Sequence, residues 1–203
     1  MNIKLFLDCA NEILGKVCLY LDSNEEIIRY DLDNEISIDL DFRNSKISER
    51  ERGSERFIIY QTENKKYLML VYIMDLYWRE VNIPYKDILQ KEFENINDIE
   101  SFKRLIDRVS PDRYCSIGTI KENKFCFIEE KEVCRIYYNF KGSNYMLWEN
   151  NNADRKETFE MFYRFIYSYI TKGFLFERFA EILGEEIRED DLIKLWGYRW
   201  NIE

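Results

Sequence analysis

The chain has 203 residues, 46% hydrophobic and 34% charged, and its 39 acids against 30 bases give a formal charge of −9. It contains no histidine, which excludes hydrolases with a histidine base, histidine-ligated zinc and the common proton shuttles near neutral pH. The length supports a full hydrophobic core in one large domain or two small lobes, and the negative charge opposes a polyanionic substrate, because phosphate contacts supply most non-specific affinity for nucleic acid.

Leu5, Phe6, Cys9, Ile13 and Leu14 recur at helical spacing, so a short amphipathic helix closed by Gly15 is expected first. Asp8 and Glu12 interrupt this stretch, which therefore lacks the apolar core of a secretory signal. The longest purely apolar run, residues 67–74, is too short to span a bilayer. A cytoplasmic protein without membrane contact is expected. The cysteines agree, since Cys9, Cys18, Cys115, Cys126 and Cys134 are odd in number, lie in apolar stretches and are not spaced as CxxC. No cofactor and no structural metal are expected.

Residues 22–41 hold eight acids (Asp22, Glu25, Glu26, Asp31, Asp33, Glu35, Asp39 and Asp41) and one base, Arg29, so −7 of the −9 lies in twenty residues. Strands are expected near residues 17–21, 28–33 and 36–42, because apolar and polar residues alternate there with the period of a half-buried strand. Facing apolar residues pair Ile28 with Phe42, Tyr30 with Leu40 and Leu32 with Ile38, leaving Asn34, Glu35 and Ile36 as the loop. Arg29 then lies opposite Asp41 and Asp31 opposite Asp39 on the outward face. Two carboxylates directly across a pair cost about 1 kcal/mol or less. Water and salt can offset that cost, and acidic faces commonly serve solubility alone. A basic partner is the sharper offset. A divalent cation ranks below both, because residues 31–35 lack the glycine and the terminal glutamate of a helix-flanked calcium loop.

Residues 43–56 are polar and read as a mobile loop, followed by a hairpin of residues 57–61 and 66–80 whose second strand is buried on both faces. Pro84 turns the chain into helices carrying Ile88, Leu89 and Phe93, then Ile99, Phe102, Leu105, Ile106 and Val109, ended by Pro111. A second meander is expected over residues 114–120, 125–129, 132–140 and 145–149. In the helical last quarter Asp154 caps a helix with Phe159, Phe162, Tyr163, Ile166 and Ile170 on one face, divided further at Gly173, Gly184 and Gly197. The fold class is α+β, antiparallel meander sheets with flanking helices. The expected division is an N-terminal lobe of residues 1–83 with the acidic hairpin and a C-terminal lobe of residues 84–203, or one continuous domain. The stretches around residues 62–66 and 121–124 look alike, which raises two similar lobes as an option, but one short match is too little to define a repeat.

Pro111-Asp112 before one strand and Glu129-Glu130-Lys131 at the end of the next resemble, over five residues, the PD…(D/E)xK motif of restriction-endonuclease-like nucleases. The resemblance implies that Asp112 and Glu129 hold magnesium and that Lys131 helps activate water. Against it, Glu129 to Glu132 reads as a charged hairpin tip, and the acidity of the chain opposes a nucleic acid substrate. Near the C-terminus Trp196 and Trp200 either anchor a partner or fold back to close the core.

The reading favoured by the sequence is a non-enzymatic binding protein of inhibitor or immunity type that presents Asp31, Asp33, Glu35, Asp39 and Asp41 to a basic, nucleic-acid-handling protein such as a toxin or nuclease. Tyr20, Trp196 and Trp200 are the candidate apolar anchors, and no direct nucleic acid contact is expected. In profile the chain resembles toxin-neutralising immunity proteins and phage-borne inhibitors of defence enzymes. The alternatives are the metal-dependent nuclease and a structural or self-assembling protein.

Overall fold

A computed structural model describes residues 3–15, 19–22, 24, 26–32, 36–80, 91, 93, 95–96, 98–109, 114–131, 133–151, 155–184, 188–200 and 202. The class is α+β. Two compact units are present, one of Met1–Asn82 with Lys172–Tyr198 and the other of Ile83–Thr171 with Arg199–Glu203. The boundary expected at residues 83 and 84 lies outside the described residues, and residues 172–198 group with the first unit rather than with the segment that precedes them. The expected helix around Ile88 and Leu89 and the Asp154 cap also lie outside the described residues.

The first unit begins with helix α1 (Ile3–Leu14) and continues into a five-stranded antiparallel meander, β1 (Tyr20–Leu21), β2 (Ile27–Leu32), β3 (Ile36–Asp41), β4 (Lys46–Glu51) and β5 (Phe57–Gln61), in that spatial order. Helix α2 (Lys65–Glu80) follows. Inward Ile28, Tyr30, Ile38, Leu40 and Ile47 join Phe6, Ala10 and Leu14 of α1 and residues 68–74 of α2 in one core.

Residues 66–80, expected as a strand buried on both faces, are helix α2. A run apolar on every side fits either element, and length decides between them. Sixteen residues span about 24 Å as a helix and about 50 Å as a strand, and only the shorter rod can be enclosed by a unit of this size. Asn64 starts the helix, its Oδ1 accepting from the backbone N–H of Lys66 (3.1 Å) and Tyr67 (3.3 Å). Asn64→Ala is therefore expected to lower the stability of the chain by about 1 kcal/mol, read from urea unfolding. Because this turn is a helix cap, its likeness to residues 121–124 is one of composition.

Two further expectations for this unit are corrected. Residues 43–56 are not all loop, since they contain β4, bonded to β3 on one side and β5 on the other. Only Ile47 is a buried hydrophobic there, and the strand buries polar Ser48 and Glu49 as well, the latter paired with Arg79 of α2 at 2.9 Å. Satisfied polar burial of this kind leaves no apolar alternation to read. The β2–β3 register is also displaced by two residues, pairing Ile28 with Leu40, Tyr30 with Ile38 and Arg29 with Asp39. Phe42 leaves the strand for the turn at residues 42–45, where its buried ring still reaches the core and its N–H donates to the Glu26 carbonyl at 2.9 Å.

The second unit holds helix α3 (Ile99–Val109) and a four-stranded sheet, β6 (Cys115–Ile117), β7 (Lys124–Glu130), β8 (Val133–Phe140) and β9 (Ser143–Asn150). This sheet is mixed rather than wholly antiparallel, because β6 runs parallel to β7. The short return between them is possible because Gly118 (φ 82°) and Asn123 (φ 55°) adopt left-handed backbone, and the Gly118 N–H closes onto the Phe127 carbonyl at 2.8 Å. Its core is aromatic, with Phe102 stacked on Phe159 at 4.2 Å between ring centroids and Phe127 and Phe162 around them.

Helix α4 (Arg155–Leu183) and helix α5 (Glu189–Trp196) make the C-terminal region helical, as the sequence indicates. The division expected at Gly173 is absent, and α4 passes through it unbroken, contributing its first part to the second unit and its last turns to the first. Glycine serves close approach here, since an added Cβ would lie 3.2 Å from a Leu192 methyl of α5. No helix among the described residues is long and apolar enough to cross a membrane.

Candidate functional site

The outward face of the first sheet is the place the sequence singles out, and cross-strand register builds it in rows. One row runs Tyr20, Arg29, Asp39, Ser48 and Ile58, and the next runs Asp31, Ser37 and Arg50. Asp39 is central and 0% exposed although it points away from the core. The two arginines that cover it are Arg29, donating Nε at 2.8 Å and Nη2 at 2.9 Å, and Arg56, which donates to the second carboxylate oxygen. Burial alone pushes the Asp39 carboxyl up, but the hydrogen bonds and charges of Arg29 and Arg56 outweigh it and hold the carboxyl below the usual carboxylate range.

The expected outward display of Asp31, Asp39 and Asp41 does not form. The register brings Arg29, not Asp31, opposite Asp39, and Arg56 arrives from the far side of β4. Asp41 is spent on its own turn, accepting from the N–H groups of Arg43 (3.0 Å) and Asn44 (2.9 Å) and from Asn44 Nδ2 (2.8 Å). Asp22 likewise accepts from the N–H groups of Ile27 and Glu26, each at 2.9 Å, and the Ile27 bond leads in holding its carboxyl below the usual range. Asp33 and Glu35 lie outside the described residues.

Asp31 keeps an exposed carboxylate, to which the Tyr20 hydroxyl donates. That bond, with the partial burial and the negative charge beside it, pushes the Tyr20 hydroxyl up. Asp31 also borders an open cleft of about 310 Å³ whose other walls include Ile36, Ser37, Arg50, Glu51 and Arg52. Sequence reading placed Arg50 and Arg52 in a loop. The signal for them was the polar alternation Lys46, Ser48, Arg50, which has the period of a strand with nothing apolar on that face.

The other candidates resolve differently. Trp196, at the end of α5, is 2% exposed, so its ring is buried and is not available as an anchor. Trp200 is half-buried on the short 3-10 turn Tyr198–Trp200 and meets Phe165 edge-on at 5.4 Å. Of the nuclease-like residues, Asp112 lies outside the described residues, while Glu129 is held by Arg155 at 2.6 Å and 2.9 Å. Lys131 sits exposed in the turn between β7 and β8 with φ 58°. Among the described residues no three acidic or thiol side chains are grouped so as to hold a metal ion.

The charge itself is unevenly shared between the units. The first carries 23 acids against 15 bases, a net −8, which leaves the second nearly neutral at −1. Comparison with protein-family models, with curated proteins and with solved structures finds no match to this chain.

Proposed function

We propose that this chain is a non-enzymatic binding protein of the inhibitor or immunity type, whose acidic first unit engages a basic, nucleic-acid-handling protein. The observation that carries the reading is the placement of −8 of the −9 charge in that one unit, with exposed Asp31 and Glu51 bordering an open cleft on its sheet. A field of this sign and size draws a cationic surface toward the cleft and orients it before contact. Lysine or arginine side chains of the partner would enter beside Asp31 and Glu51, while Arg50 and Arg52 limit where a cation can sit and so set the register. The Arg29–Asp39–Arg56 clamp contributes indirectly, by holding the strands that carry Asp31 and Ser37 in place.

The experiment is capture of the partner by the tagged full chain in its native host, followed by association kinetics of the purified pair at several salt concentrations. Asp31→Lys with Glu51→Lys is expected to slow association at least tenfold at low salt and to flatten the salt dependence, with a smaller change in dissociation. Both side chains are exposed, so the double variant keeps its fold. An association rate unaffected by this reversal defeats the reading.

A further inference from the structure

We infer that the open cleft on the sheet of the first unit binds a small zwitterion, an ω-amino carboxylate, with its ammonium on Asp31 and its carboxylate on Arg50. The site shares that cleft with the contact proposed above but goes beyond that reading, because it requires no protein partner. Cross-strand register puts Asp31, Ser37 and Arg50 in one row, with Ser37 opposite Asp31 on one side and Arg50 on the other. All three line the cleft of about 310 Å³, at the small end of the roughly 300 to 1,000 Å³ that ligand sites span. Neighbouring strands lie about 4.8 Å apart, so the backbones that carry the two opposite charges are about 10 Å apart. Asp31 and Arg50 are exposed and Ser37 between them is half-buried. Among the described residues Arg50 forms no ion pair and the Ser37 hydroxyl has no hydrogen-bond partner. Asp31 accepts from the Tyr20 hydroxyl through Oδ2, which fixes the direction of the carboxylate and leaves Oδ1 for a ligand.

The balance of charge on the walls defines the occupant. Asp31 and Glu51 face Arg50 and Arg52, two of each sign. An inorganic phosphate or a nucleotide would therefore meet two carboxylates, and a metal ion or a polyamine two guanidinium groups. A neutral molecule with separated charges meets attraction at both ends. The row also sets the separation. A charge-assisted hydrogen bond of about 2.8 Å at each end leaves about 4 to 5 Å between the charged groups of the ligand. The three methylenes of 4-aminobutanoate supply that distance and the single methylene of glycine does not. Ser37 has a short side chain, so the spacer lies over it without a clash, and the planar guanidinium of Arg50 suits a carboxylate held by two hydrogen bonds.

The test titrates the isotopically labelled full chain at low ionic strength with 4-aminobutanoate, and separately with butylamine, butanoate and glycine. Three results together support the site: saturable amide shifts centred on residues 31, 37 and 50, binding of 4-aminobutanoate at least tenfold tighter than of the other three, and at least a tenfold loss in both Asp31→Asn and Arg50→Gln. Asparagine keeps an acceptor for the Tyr20 hydroxyl and both positions are exposed, so the variants fold, as their urea midpoints would verify. Butylamine binding as tightly would make the cleft a plain cation site, and butanoate binding as tightly a plain anion site; either overturns the proposal. Equal binding of glycine, a titration that does not saturate, or an Arg50→Gln variant that binds like the wild type overturns it as well. No partner enters this titration, so its failure leaves the reading of the first unit as a binder of basic proteins intact. An association rate unaffected by the Asp31/Glu51 reversal defeats that reading without bearing on the zwitterion.

Discussion

Asp39→Asn is expected to lower the stability of the chain by about 2 to 3 kcal/mol at neutral pH, the largest effect of any single substitution on the outward face of the first sheet. Removing one member of a buried ion pair costs about 3 to 5 kcal/mol, because the partner's charge is left uncompensated. Arg29 and Arg56 have side chains 35% and 38% exposed and regain some water, which brings the loss below that range. The pH dependence separates the charge from the shape. Because the folded-state carboxyl is held below its unfolded value of about 3.9, its contribution is complete above that value and is lost as pH falls toward the depressed one. Wild-type stability, measured by urea unfolding between pH 7 and pH 2, should thus contain an acid-sensitive component that Asp39→Asn lacks. A variant as stable as wild type at pH 7, with the same acid profile, would show that the clamp contributes nothing.

Lys172→Met is expected to cost about 3 kcal/mol, measured in the same way. Lys172 of α4 is 8% exposed and its ammonium lies 3.0 Å from Asp75 of α2, whose other oxygen accepts from the Tyr198 hydroxyl at 2.9 Å. Methionine preserves most of the aliphatic stem and removes the cation, so the loss reports the Asp75 carboxylate, 12% exposed, that is left behind rather than a cavity. Lys172→Met combined with Asp75→Asn should recover more than half of the loss, since it removes the unbalanced charge. If the double variant is instead as unstable as the sum of the singles, the two groups are not coupled. These bonds fix the last turns of α4 to the first unit, although 97 positions separate the two residues in the chain.

Much of this architecture was legible from local pattern. The amphipathic first helix, the alternation of Ile28, Tyr30, Ile38 and Leu40, and the helical face of Phe159, Phe162, Tyr163 and Ile166 all follow from the period at which apolar residues return, and all of these but the half-buried edges are core. An error of two residues in the hairpin register left the faces intact, because side chains in a strand repeat every second residue. The same error changed every cross-strand neighbour, and with them the electrostatics of Asp31 and Asp39.

The sequence by itself determined the class of the fold, the inward faces of its strands and helices, the absence of histidine chemistry and the excess of acid, since each depends on composition or on contacts a few residues apart. Only the tertiary structure decided that residues 65–80 coil rather than extend, that a polar segment forms an interior strand, and that Asp39 is enclosed by Arg29 and Arg56 instead of facing solvent. The physical reason is that a charge is compensated by whatever lies within a few ångströms in space. For Asp39 that includes an arginine 17 residues away, delivered by the turn that joins β4 to β5.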